Sequence, residues 1–231
     1  MSQNKRIAII TGASSGIGLA TASSFIDQGF EVQGIARDFS NTRCVGLATT
    51  EIDLSKLANL PAQLNQFQVA PDVLVLNAGF GQFGGLEQFS HTQIEALINT
   101  NLTSNIFLLK HFLPKMKRQG GGDIVLIGSE SSLQGAKAGA VYCATKFAIR
   151  GLAQSLRADC ATANIRVILV NPGPVSSGFF DDLSFEPHDG EGFVIKPESV
   201  AKAIVDAISQ PRNVVVDEIN LQPMKRSFQK K

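Results

Sequence analysis

Residues 6–10 form a short apolar run that breaks into Thr11-Gly12-Ala13-Ser14-Ser15-Gly16-Ile17-Gly18 and resumes as a helix-period pattern over 19–28. Strand, glycine turn, helix is a narrow structural choice. Glycine reaches backbone conformations closed to other residues and lets bare N–H groups approach an anion. The helix N-terminus adds its partial positive charge. The ligand this suits is the pyrophosphate of a dinucleotide, held by Gly12, Ser14, Ser15, Gly16, Ile17 and Gly18. The spacing is G-x-x-x-G-x-G and not the common G-x-G-x-x-G. The reading therefore rests on the strand before and the helix after.

Alternation continues down the chain. The pattern predicts strands at 31–36, near 49–52, and at 73–76, 123–128, 165–170 and 213–219. Helices are predicted at 55–67, within 91–118, at 139–161 and at 197–209. Strands that alternate with helices pair in parallel. The expectation is an α/β fold: one doubly wound parallel sheet of about seven strands with helices on both faces. A length of 231 residues with 44% hydrophobic composition suits a single domain over 1–231. Phe39 to Thr49 has no room for a crossover helix and reads as loop. Residues 178–196 mix apolar and acidic side chains with glycines, the composition of a mobile substrate lid.

The formal net charge of +1 gives no footprint for nucleic acid, and the basic tail of Lys225, Arg226, Lys230 and Lys231 reads as solvated. No apolar stretch approaches the roughly 20 residues of a membrane span, and Ile7–Ile10 is too short for a secretory segment. Cys44, Cys143 and Cys160 are odd in number without Cys-x-x-Cys spacing, which fits a reducing cytoplasm. His91, His111 and His188 lack metal-ligand spacing, so no metal is expected.

Tyr142 and Lys146 lie four apart in a Pro-free run rich in Ala, Leu and Arg, so they share a helical face. An ammonium about 5 Å from a phenol favours phenolate by roughly 3 kcal/mol at an effective dielectric of about 20. The expectation is a phenol lowered by about two pKa units and able to exchange a proton near neutrality. Ser129 follows the apolar run 123–128, at the sheet edge where such folds bind ligands.

With the glycine turn, Leu76-Asn77-Ala78-Gly79, Asn101, Ser129, Tyr142, Lys146 and Asn171-Pro172-Gly173 in that order, the chain resembles the short-chain dehydrogenase/reductase family over almost its whole length. The resemblance implies a Rossmann fold and a catalytic group of Asn101, Ser129, Tyr142 and Lys146. Ser129 would hold the substrate oxygen and Tyr142 would pass the proton. Lys146 would hold the nicotinamide ribose, and Asn101 would fix a relay water. Asn77, Ala78 and Gly79 would line the adenosine side, with Leu76 standing where the family often has Asn. Pro172, Gly173, Val175 and Ser177 would hold the carboxamide end. Asp53 with Leu54 matches an adenine contact, and Asp53 equally suits a helix N-cap for residues 55 onward.

The end of the second predicted strand, Ile35-Ala36-Arg37-Asp38, separates the two nicotinamide cofactors. By the resemblance the acidic NAD-type position falls on Ala36 and the basic one on Arg37, which implies NADP, with NAD the lesser alternative. The competing reading makes Asp38 the ribose acceptor. The stretch Val214–Met224 is similar to the NADP-dependent 3-hydroxy acid and serine dehydrogenase branch. Asp181, Asp182, Glu186, Asp189 and Glu191 in the lid, against Lys196 alone, suit a neutral ketone or aldehyde better than a carboxylate. The reading is thus an oxidoreductase acting on a small carbonyl or secondary alcohol, with a 3-hydroxy acid as one option. A homodimer or homotetramer is expected through 91–118 and 139–161. The alternative is a non-catalytic dinucleotide-binding regulator. A serine hydrolase is disfavoured because Gly128-Ser129-Glu130-Ser131-Ser132 breaks G-x-S-x-G.

Overall fold

The computed structural model describes residues 5–231. Its strands are β1 (Ile7–Thr11), β2 (Glu31–Ala36), β3 (Leu47–Glu51), β4 (Val73–Leu76), β5 (Gly122–Ile127), β6 (Ile165–Pro172), β7 (Phe185–Pro187), β8 (Glu218–Leu221) and β9 (Phe228–Lys230). Seven of them form a parallel sheet in the order β3-β2-β1-β4-β5-β6-β8, while β7 and β9 pair antiparallel away from it. The helices are α1 (Gly16–Asp27), α2 (Leu60–Leu64), α3 (His91–Ile98), α4 (Ser104–Gln119), α5 (Ala140–Cys160) and α6 (Pro197–Ile208).

Strand side chains alternate between faces with a period of two, and the two faces feed two cores. Ile9, Leu74, Leu76, Ile124 and Leu126 pack with Leu60, Phe112 and Ile149 of α2, α4 and α5. Their neighbours Ala8, Ile10, Val73, Val75 and Val125 pack with Phe25 of α1 and Ile204 of α6. Each fully buried Leu, Ile, Val or Phe contributes about 1.5–3 kcal/mol of transfer free energy, which is why the central strands read as unbroken apolar runs. Strand order reverses between β1 and β4, and a crevice opens at the carboxyl ends of the strands there.

Several boundaries differ from the sequence reading. The helix expected over 55–67 shrinks to α2, Leu60–Leu64. The Asp53 carboxylate accepts the Ser55 amide and hydroxyl at 3.0 and 2.7 Å, closing a turn, and Pro61 restarts the helix in its first turn. Asp53 is therefore not an N-cap for a helix at 55. The long helix within 91–118 is two helices joined by a wider, π-helical turn at Asn99–Thr103. The strand expected at 213–219 begins at Glu218, because Val214 turns back on Pro211 through an N–H···O bond of 2.8 Å. The tail is not merely solvated: Phe228–Lys230 pairs with Phe185–Pro187 inside the 178–196 segment.

Candidate active site

The turn after β1 is a cradle that side chains would fill. Gly12 and Gly16 sit at φ +66° and +53°, the left-handed region that favours glycine. A Cβ on Gly12 would lie 2.7 Å from Asn77 Nδ2, and one on Gly16 would lie 3.2 Å from the Cβ of Ser177. Gly16 and Ser177, 161 positions apart in sequence, thus wall one cleft. Ser15 caps α1 without spending its hydroxyl on the helix, and the first turn carries no acidic residue. Those amides and that hydroxyl suit a pyrophosphate, so the residues present fit a dinucleotide.

Asn77 stitches the switch point. Its Nδ2 donates to the carbonyls of Thr11 and Gly12 at 3.0 and 3.2 Å, and the amides of Asn77 and Ala78 both donate to Thr11 Oγ1 at 3.0 Å. Thr11, fully buried, is a site residue the sequence reading missed; a hydroxyl ending an apolar strand just before Gly12 was the available signal. Leu76 points into the core. Gly79 faces Asn101 and Lys146, since a Cβ there would sit 3.0 Å from Asn101 Oδ1 and 3.7 Å from Lys146 Nζ. Beyond β6, Gly173 donates to Leu221 O at 2.8 Å. The amides of Ile195 and Ser176 use the Pro174 and Ile195 carbonyls at 2.8 Å, which leaves the Val175 amide and carbonyl outside that pairing.

Arg37 and Asp38 are both exposed at the end of β2. Asp38 is engaged: its carboxylate accepts the Ser40 amide and hydroxyl at 2.7 and 2.9 Å, and the Ser40 amide first, then its hydroxyl, holds the carboxyl below the usual range. Arg37 pairs with no carboxylate among the described residues. Asp53 is occupied by Ser55, and Leu54 is buried in the core.

Tyr142 and Lys146 lie on the buried face of α5, each 5% exposed. Lys146 Nζ is 5.8 Å from the centre of the Tyr142 ring and donates to Ile127 O at 3.0 Å. Ser129 follows β5, where its Oγ accepts the Ser131 amide at 3.1 Å. Asn101 sits in the π-helical turn: Oδ1 accepts the Phe80 amide at 3.0 Å, while Nδ2 donates to Phe80 O at 2.9 Å and Thr145 Oγ1 at 3.4 Å. It clamps the loop after β4 to α5. Asn105 donates to Asn101 O at 2.9 Å, and its own Oδ1 is buried without a partner.

The electrostatics correct the sequence reading. Burial pushes the Tyr142 phenol up to about 12, and the Ser129 hydroxyl pulls it down by less. Burial also lowers Lys146 to about 8. Counting the ammonium alone predicted a lowered phenol; desolvation of the phenolate outweighs it. At neutral pH the site therefore holds a protonated phenol beside an ammonium still charged about ten to one.

The 178–196 segment covers this group. Phe179 lies 5.8 Å and Phe83 5.2 Å, centre to centre, from the Tyr142 ring. The tail fastens the segment: Lys225 donates to Gly192 O at 2.9 Å, His188 to Ser227 O at 3.0 Å, and the Lys231 amide to Ser184 O at 3.1 Å.

A model of the short chain dehydrogenase family matches residues 6–186. Sepiapterin reductase of Chlorobaculum tepidum is 30% identical, the match covering 97% of this chain and 99% of that protein. Among solved structures, an alcohol dehydrogenase of the archaeon Thermococcus sibiricus, complexed with 5-hydroxy-NADP, superposes with a TM-score of 0.82 at 27% identity, covering 97% of this chain and 99% of that one. Serine dehydrogenase of Escherichia coli superposes with a TM-score of 0.81 at 26% identity, covering 96% and 99%. No helix among the described residues is long and apolar enough to cross a membrane.

Proposed function

The chain belongs to the short-chain dehydrogenase/reductase family, and from that premise we propose that it reduces a carbonyl to a secondary alcohol with NADPH, or runs the reverse, using Tyr142 as the proton donor. The observation that carries the reading is the neutral phenol beside a charged lysine and a serine hydroxyl at the sheet's carboxyl edge. The bound dinucleotide supplies the hydride. Ser129 donates a hydrogen bond to the carbonyl oxygen. Tyr142 gives that oxygen its proton as negative charge develops there. The Lys146 ammonium stabilises the phenolate left behind, and Asn101 holds α5 and the β4 loop in register. The unpartnered oxygen of Asn105 is the polar group a relay water beside Asn101 needs.

Arg37 supports NADP over NAD, because its guanidinium pairs with no carboxylate among the described residues while Asp38 is tied to Ser40. The Thermococcus sibiricus relative bound to an NADP derivative agrees with this. A 3-hydroxy acid is the second reading, favoured by the likeness to serine dehydrogenase. Residues 178–196 act as the substrate lid of a single domain. Self-association through α4 and α5 fits the exposed Ile106 and Phe147. The free cysteines suit the cytoplasm.

Tyr142→Phe tests the reading. Turnover should fall about 10²–10⁴-fold while NADPH binding, followed by nucleotide fluorescence, stays within about twofold. Near-parental turnover would refute the assignment.

A further inference from the structure

Six rings from four separate segments, the phenol among them, form one cluster. Phe83 of the β4 loop lies tilted against Tyr142 of α5 at 5.2 Å and meets Phe185 of the lid edge-to-face at 5.1 Å. Phe179 lies tilted at 5.8 Å from the Tyr142 ring and meets Phe180 edge-to-face at 5.1 Å. Phe228, from the tail, closes the set against Phe180 and Phe185 at 6.4 and 5.7 Å. Phe179 is keyed in place: a Cβ on Gly81 would collide with its ring at 2.4 Å. Two cations of the tail are paired at the rim. Arg226 pairs with Glu130 at 3.1 Å, and Lys231 donates to the lid carbonyl of Asp181 at 3.1 Å and faces Glu186 at 3.9 Å.

Resting on the oxidoreductase reading above, we propose that this cluster is an aromatic substrate clamp, built jointly by lid and tail, that selects neutral carbonyls and alcohols carrying an aromatic ring. A substrate that approaches Tyr142 past Phe179 parts two rings whose centres lie 5.8 Å apart. A ligand with a π face replaces the contacts it breaks. A small alkyl ligand replaces few of them, and a carboxylate must shed its water to enter among the rings.

The test is calorimetric titration of the full-length protein, saturated with NADPH, with 1-phenylethanol, 2-butanol and 3-hydroxybutyrate, alongside NADPH oxidation by acetophenone and 2-butanone. 1-Phenylethanol is expected to bind about tenfold or more tightly than the other two, as ring stacking of about 0.5–1.5 kcal/mol adds to apolar burial. Phe179→Leu, which keeps apolar bulk, and removal of residues 226–231 should each erase most of that preference while NADPH affinity is retained. Equal or tighter binding of 3-hydroxybutyrate, or a ring preference unchanged in both variants, would overturn the clamp. Ring-selective binding without NADPH oxidation would uphold the clamp and refute the hydride reading. Unselective binding with turnover of both ketones would do the reverse.

Discussion

The two edges of the sheet handle charge in opposite ways. At the amino edge, fully buried Asp123 is met by Arg166 at 2.7 and 3.1 Å, by Arg212 at 2.8 Å and by Arg6 at 3.7 Å. Arg166 spends its remaining donors on the carbonyls of Ile208, Gln210, Pro211 and Val214. Every charge there has a partner, and the cluster ties β5, β6 and the segment before β8 together. At the carboxyl edge, Lys146 is also buried but among the described residues has one carbonyl and no carboxylate, and Tyr142 is held neutral by desolvation. One edge is saturated and serves stability. The other is left short of partners, and that shortage leaves a proton and a charge available for chemistry.

The largest effect expected from this contrast is at the saturated edge. Arg166→Met leaves the Asp123 carboxylate buried with weakened compensation and should cost about 3–5 kcal/mol of stability, measured by urea unfolding. The kcat of the remaining folded enzyme should be unchanged. A loss of kcat with stability intact would break the division of labour.

Arg37→Ala is the matching experiment on a free arginine. A charge-assisted pair with a 2′-phosphate contributes about 1.5–3 kcal/mol, so NADPH affinity should drop about ten- to a hundredfold and NADH affinity should hold. Stability should move by less than about 0.5 kcal/mol. Unaltered NADPH binding would return the cofactor choice to Asp38.

Lys146→Met should abolish most turnover yet raise stability by about 1–2 kcal/mol at pH 7. The folded pKa of about 8 lies below the ordinary 10.5. Between those values the unfolded chain binds more protons, so the parent gains stability as pH rises through that window. The variant's advantage should therefore be full below about pH 8 and vanish near 10.5. A variant less stable at pH 7 would mean that Lys146 is as well compensated as Arg166.

The saturated core was largely legible in the sequence. Runs such as Val73–Leu76 and Ile165–Val170 are buried on both faces, and that forces their composition. Tyr142, Lys146 and Ser129 were legible because one helix face and one strand end place them by local geometry. What escaped depends on distant partners. The turn at Asn99–Thr103 follows from Asn101 bonding Phe80 and Thr145. The aromatic cluster joins Phe83, Phe179 and Phe228, which no local period relates. The sign of the Tyr142 shift was missed because spacing reveals a neighbouring charge but not the burial that outweighs it.

Tyr142 is the only tyrosine in the chain, and there is no tryptophan, so tyrosinate absorbance reads this one phenol without interference. Titrated in the free enzyme, it should stay protonated past the ordinary midpoint of about 10, moving toward about 12. A phenol half-ionised at or below about pH 10 would contradict the claim that burial keeps Tyr142 neutral and ready to donate its proton.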